Sequence, residues 1–449
     1  MELDGTPSLP LPLTPYYTGL DAADIAVLRA LNPTANAADN FFSLFNTLKV
    51  SFCRASIEVL VRISTIDILA EQVEHLVFGT ETLDQYLPYI KKSDADGGER
   101  ENRQRNVYIE AAREDMNRAA EMVDELKEAV FAFVNLKTVT VEDRPAIATN
   151  EVGWRESLGY EKVRNKMGID MRWNGPYLDP RDEGPGTSIP RGSKMFVYAS
   201  VFTMVRDLDT VQRRVALNLS IAGYQVALRQ DEGEEQGVQV KRYFALPFDP
   251  CKALPRYVFK RNVKKIEIRD VDTDVQIKKM SDLVEFLRRL EFHSVSFVHC
   301  ALHFGYLDNA FAPFNCLDVR NCENVTGLGD MLYQHRYSLR YVSIVDVSMQ
   351  LDDPATNENH WAVFFKALCE PSAFQKLKMK DLRTGVEEGE EDVGEQLRSV
   401  TWEGNSGIQV GALRLLKTVE GMSALEQGLP AVLNLMEGQA AYEARSAGC

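Results

Sequence analysis

The chain has 449 residues, of which 45% are apolar, 26% charged and 9% aromatic. That balance excludes a wholly disordered or collagen-like chain. Its 51 basic and 66 acidic residues leave a net charge of −15, which disfavours phosphate backbones and sets the expectation of no nucleic-acid partner.

Residues 1–17 are Pro-rich and acidic, without the basic and apolar regions of a secretory leader. Seven scattered cysteines, an odd number, fit free thiols in a reducing compartment. The expected location is therefore cytoplasmic or nuclear, and the glycosylation-type acceptors at Asn218 and Asn324 read as chance matches. No apolar run reaches the roughly 18 residues of a membrane span, so no membrane partner is expected.

Residues 20–31 form an amphipathic helical segment carrying Leu20, Asp24, Ile25, Leu28 and Leu31, and an apolar stretch follows at 41–45. A short strand-like segment holds Val73, Leu76 and Phe78. The polar stretch 93–103 reads as a loop. Residues 105–133 then carry the longest helical period: Ile109, Met116, Ala119, Met122, Val123, Leu126 and Val130. Leu136, Val139 and Val141 make a second strand-like segment, and 179–192 and 231–237 are polar loops.

From residue 263 the strand-like segments share one form: apolar, two residues, apolar, one residue, apolar. They are Val263-Ile266-Ile268, Phe292-Val295-Phe297, Phe314-Leu317-Val319, Leu339-Val342-Ile344 and Phe374-Leu377-Met379, with a weaker Leu397-Val400-Trp402. Successive strong starts lie 29, 22, 25 and 35 residues apart, and three of these gaps fall near the 20–29 residues of a leucine-rich repeat. Three residues beyond each stand Val271, Cys300, Cys322, Val347 and Leu382. Helices are expected at 282–290, 327–335, 360–368 and 409–419. This order predicts an α/β fold: a right-handed, leucine-rich-repeat-like solenoid of parallel strands alternating with helices. The acidic stretch 384–395 is a further loop.

His293, His299, Cys300, His303, Cys316 and Cys322 invite a zinc reading, but the paired short spacings of a zinc site are missing. Cys300 and Cys322 share one repeat position, which makes them structural cysteines. No nucleophile elbow, phosphate-binding loop or His-Glu-x-x-His motif is present, so no enzyme activity, metal or cofactor is expected. The basic run 260–265 leads into a strand and reads as a solvated edge. Strand alternation then sends Lys265, Glu267, Arg269, Ser294, Ser296, Val298, Cys316, Asp318 and Arg320 outward. Tyr341, Ser343, Val345, Lys376, Lys378 and Lys380 continue that set. Of these, Arg269, Asp318, Arg320, Tyr341, Lys378 and Lys380 are the expected contacts to a protein substrate on the repeats.

Three pieces of the chain resemble fungal F-box proteins with a divergent leucine-rich-repeat-like domain. Residues 69–78 resemble the segment that leads from the F-box into the first strand. Residues 314–349 resemble a repeat, with Asn321-Cys322 after the strand and His335, Ser338 and Leu339 before the next. Residues 360–368 resemble a helix that opens near a tryptophan, here Trp361.

The resemblance implies a small helical F-box-like region at 1–50 and a repeat domain at 51–449. It also implies a Skp-type adaptor docked through Leu20, Asp24, Ile25, Leu28 and Leu31, in a substrate receptor of a cullin–RING ubiquitin ligase. The family's first helix is missing, because Pro10, Pro12 and Pro15 oppose helix there. The alternative expectations are a repeat scaffold without a ligase role, and a metal protein or enzyme built on the 293–322 cluster.

Overall fold

Helices and mostly parallel strands alternate through the computed structural model, which places the chain in the α/β class. It describes residues 20, 22–32, 41–81, 99–143, 157–159, 162–163, 165, 191–222, 224–228, 239–243, 263–271, 284–285, 287–307, 311–349, 360–384 and 400–420. The expected Pro-rich start and the loops at 179–190, 231–237 and 385–395 lie outside the described residues, as do residues 93–98 of the 93–103 loop and 260–262 of the basic run. Apart from 145–147 and 177–182, the chain separates into a unit ending at Leu217 and a unit beginning at Asn218.

The first unit starts with α1 (Ala22–Leu31) and a 3-10 turn (Phe41–Phe45), then β1 (Thr47–Ser51), α2 (Arg54–Ser64), α3 (Asp67–Ala70) and β2 (His75–Gly79). It continues with α4 (Glu99–Asn117), α5 (Ala119–Ala132), β3 (Thr138–Glu142), α6 (Arg191–Thr210) and the start of β4 (Ala216–Ala222). Strands β1, β2 and β3 are parallel, and their register aligns Leu48 with Leu76 and Val139, and Val50 with Phe78 and Val141. All six are buried. At roughly 1.5–3 kcal/mol per fully buried aliphatic or aromatic side chain, these rows drive the pairing and fix its register.

The expected 105–133 helix is two helices, because the backbone leaves helical geometry at Arg118 (φ −103°, ψ 12°). The break lets the two halves bury different partners. Tyr108 and Ala112 pack with Cys53 and Val163, while Met122, Leu126, Ala129 and Val130 form the buried stripe of α5. Met116, counted in the sequence period, is exposed.

The second unit takes the rest of β4, then the antiparallel pair β5 (Tyr224–Leu228) and β6 (Gln239–Tyr243). Next come β7 (Val263–Arg269), β8 (Ser294–Val298), β9 (Ala301–His303), a 3-10 turn (Phe304–Leu307) and β10 (Cys316–Thr326). It closes with α7 (Leu328–His335), β11 (Tyr341–Met349), α8 (His360–Cys369), β12 (Lys376–Thr384), β13 (Val400–Glu403) and α9 (Asn405–Glu420). The hydrogen-bonded order is β7-β8-β10-β11-β12-β13, with β9 beside β10. Residues 284, 285, 287 and 288 are helical within the expected 282–290 helix. Gly329 lets α7 lie close to α8, since a Cβ there would stand 2.8 Å from the Phe364 nitrogen.

Every strong ladder segment is a strand, and the apolar positions coincide with the register. Ile266, Val295, Leu317, Val342 and Leu377 form one cross-strand row; Ile268, Phe297, Val319, Ile344 and Met379 form the next. Both rows are buried, as are Val271, Cys300, Cys322, Val347 and Leu382. The parallel expectation fails at β13, which runs antiparallel to β12. A parallel return needs a crossover, usually helical, and the sequence between these strands is acidic and has no apolar helical period.

A feature unseen in the sequence recurs between the second row and the deeper ladder position. Asp270, His299, Asn321 and Asp346 all adopt positive φ, between 52° and 54°. Asp, Asn and His are the non-glycine types that tolerate this left-handed region best. The chain turns a corner there while hydrogen bonding continues: Asp270 N–H donates to the Val298 carbonyl at 3.1 Å, and His299 N–H to the Arg320 carbonyl at 3.1 Å. The corner directs Val271, Cys300, Cys322 and Val347 back into the core.

Candidate functional site

Alternation sends the residues between the buried rows to the opposite sheet face. Register builds three polar rows there. The first is Lys265-Ser294-Cys316-Tyr341-Lys376-Glu403, the second Glu267-Ser296-Asp318-Ser343-Lys378-Thr401, and the third Arg269-Val298-Arg320-Val345-Lys380. Cross-strand neighbours in such rows stand about 4.8 Å apart.

Charges divide this face into two halves. On β7, β8 and β10 they are paired. Glu267, 7% exposed, contacts Lys265 at 3.1 Å, Arg269, Ser220 at 3.3 Å and Arg320 at 3.8 Å. Arg320 also pairs with Asp318 at 2.8 Å, and Ser296 donates to Asp318 at 3.2 Å. Burial pushes the Glu267 carboxyl up, but Arg269 and Lys265 outweigh it, so it ionises below the ordinary glutamate range.

A folded-state value below the unfolded one stabilises the fold at neutral pH, and that stability is lost as pH falls through the folded value. Glu267→Gln is therefore expected to lose about 1–2 kcal/mol at pH 7, an amount limited by the partly exposed cations. It should also flatten the acid limb of the stability curve below about pH 4.5. Urea unfolding across pH checks both. An unchanged acid limb would mean that Glu267 is not its source.

On β11 and β12 the face is open. Tyr341 is 46% exposed, and Lys376, Lys378 and Lys380 are all exposed. Lys376 pairs with Glu403 at 2.7 Å. The last turn of α7 exposes Tyr333 and the turn after it Tyr337, with the Arg336 guanidinium 3.9 Å from the first ring centre and 4.4 Å from the second. Tyrosine and arginine are the residue types that most often anchor protein interfaces.

The expected substrate contacts therefore share one face but not one state. Arg269, Asp318 and Arg320 are tied into the network around Glu267, while Tyr341, Lys378 and Lys380 are exposed on β11 and β12. The N-terminal set is placed differently. Asp24, Leu28 and Leu31 are buried in the first unit, and Leu20 and Ile25 are half-buried. Asp24 accepts from Gly159 N–H at 2.9 Å and Lys162 Nζ at 3.1 Å.

Asn32, at the end of α1, ties that helix to β1. Its amide donates to the carbonyls of Leu28 (3.0 Å), Leu44 (2.6 Å) and Thr47 (3.0 Å), and its oxygen accepts from Thr47 N–H (2.9 Å). An Asn immediately after an amphipathic helix was the available signal for this lock.

The fold sets Cys300 against Cys322 and gives the other members of the His and Cys cluster separate places. His293 bonds Asn315 at 3.1 Å, His299 forms a corner, and His303 lies on β9. Cys300 and Cys322 are buried, with Sγ groups directed at the Val298 and Arg320 carbonyls at 3.3 and 3.2 Å. Burial pushes the Cys300 thiol well above its ordinary value, Cys316 upward, and Cys53 to about 11. Raised thiols are poor nucleophiles and poor ligands. Among the described residues no group of three or more His, Cys, Asp or Glu is placed to hold a metal ion. No described helix is long and apolar enough to cross a membrane. No family model, curated protein or solved structure matches the chain.

Proposed function

We propose that the second unit is a leucine-rich-repeat-like solenoid acting as a non-catalytic receptor for a protein partner, bound on the polar sheet face. The observation that carries this reading is the open half of that face, where Tyr341, Lys378 and Lys380 stand on strands held rigid by buried rows. The free thiols of Cys53, Cys300, Cys316, Cys322 and Cys369 suit a reducing compartment such as the cytoplasm or nucleus.

Photo-crosslinking tests the reading. A photoreactive residue at Ser343 should give protein adducts in cells that the same residue at exposed Val410 of α9 does not. Equal or absent adducts at Ser343 would remove the proposal.

The narrower form makes the chain a substrate receptor of a cullin–RING ligase, with residues 1–50 as the F-box-like region. Because Asp24, Leu28 and Leu31 serve internal packing, adaptor docking falls to Ile25 on α1 and to Leu20 ahead of it. Co-purification of a Skp-type adaptor, lost in Ile25→Asp, supports the ligase form. No adaptor, with unchanged turnover of the crosslinked partner on deletion of this chain, leaves the scaffold form.

A further inference from the structure

We propose that Cys300 and Cys322 are a reversible oxidation site, which a hydroperoxide converts to a disulfide between neighbouring strands and small thiols restore. This goes beyond the receptor reading and does not depend on it.

The geometry rests on register. Each cysteine follows a left-handed corner, at His299 and at Asn321. Hydrogen bonds flank the pair on both sides. His299 N–H donates to the Arg320 carbonyl at 3.1 Å, and Glu323 N–H donates to the Cys300 carbonyl at 2.8 Å. The residues that follow, Ala301 and Glu323, are register partners. The two cysteines therefore stand one strand spacing apart, about 4.8 Å. That lies within the range of about 4.4–6.8 Å between Cα atoms that a disulfide spans. Both side chains are buried on the core side, and the Cys322 thiol is a hydrogen-bonding neighbour of the Cys300 thiol.

The surroundings select this pairing. Val271 and Val347 fill the flanking ladder positions, and Cys316 projects from the opposite sheet face. Among the described residues, an oxidised sulfur at either position thus meets the other thiol of the pair. Burial keeps both thiols from reagents in the closed fold. Oxidation therefore proceeds through brief openings of β9, three residues long, and the 3-10 turn beside it.

The chemistry balances without a further reactant. One thiolate attacks a peroxide oxygen; the O–O bond breaks, a sulfenic acid forms and hydroxide or alkoxide leaves. The strand recloses and holds the second thiol against that sulfur. Its thiolate attacks, the S–O bond breaks, the S–S bond forms and hydroxide leaves. With hydrogen peroxide, two thiols yield one disulfide and two waters; sulfur is oxidised and the peroxide oxygens are reduced. A disulfide draws its Cβ atoms to about 3.5–4.5 Å, closer than the strand spacing. Such a strained bond is readily reduced.

The test exposes the folded full chain to excess hydrogen peroxide, then unfolds it in an alkylating reagent and digests it with trypsin without reduction. Mass spectrometry should find the Cys300 and Cys322 fragments joined and lighter by two hydrogens. The link should persist in Cys316→Ser, vanish in Cys300→Val and in Cys322→Val, and reverse in glutathione. Valine already occupies this ladder position at 271 and 347, so the valine variants should melt with the parent, which separates a lost bond from a lost fold. Joined fragments that survive in Cys300→Val, no link once Cys316 is oxidised, or sulfinic acid at Cys300 or Cys322 in place of the link would each overturn the inference.

Discussion

Replacing Phe297 with alanine is expected to destabilise the second unit by about 3–5 kcal/mol, the range for emptying a buried aromatic site. Phe297 is fully buried in the second ladder row. Its ring meets Phe304 edge-on at 5.4 Å and Phe311 at 6.2 Å between centroids. Phe304 belongs to the 3-10 turn and Phe311 packs in turn on Phe314, so the cavity cannot collapse without moving that turn and the approach to β10. Hydrogen exchange should show the loss first in β8 and β10, with β1 to β3 little changed. Uniform protection across β8 and β10 in the variant would refute this account.

The second large effect is expected at Asn32. Asn32→Ala removes the amide donor to Leu28, Leu44 and Thr47 and the acceptor for Thr47 N–H. Buried backbone groups left without partners cost about 1–3 kcal/mol each, and partial relaxation brings the expected total to about 2–4 kcal/mol. Limited proteolysis should then cut within α1 before any other described element. Asn32→Asp keeps the acceptor but not the donors, so it should rescue little. If Asn32→Ala leaves both the melting temperature and the α1 cleavage rate unchanged, the lock is not what holds the helix.

Most of the second unit was legible because its core is periodic. Strand alternation and parallel register place Ile266, Val295, Leu317, Val342 and Leu377 in one row, so the sequence pattern and the hydrogen-bond ladder carry the same information. The first unit was legible only in part. β1 carries the same pattern at Phe45, Leu48 and Val50, but that stretch was absorbed into the F-box resemblance. β4 escaped because Arg214 occupies the place where an apolar residue opens the other segments, and the neighbouring Arg213 turns inward to the Phe131 and Phe133 carbonyls.

The candidate face was readable as a set of residues but not as two halves. Alternation gives the direction of a side chain. It does not say that Glu267 also gathers Arg320 and Ser220, because those contacts cross strands separated by long stretches of sequence. The left-handed corners were hidden for another reason: Asp270, His299, Asn321 and Asp346 are polar residues at one repeat position, as solvent-facing residues also are, and only the backbone angle sets them apart.

Those corners give the fold a fixed phase. Strands β7, β8, β10 and β11 each reach their turn the same number of residues after their apolar positions, whereas the connections to the next strand differ greatly in length. A residue gained beyond the corner only lengthens a spacer. A residue gained before it would exchange the two faces of that strand and put its outward side chains, such as Glu267, Asp318 or Arg320, into the core. The repeat is thus tolerant of growth on one side of a single backbone angle and intolerant on the other. That asymmetry lets the connections vary while each face residue keeps its address.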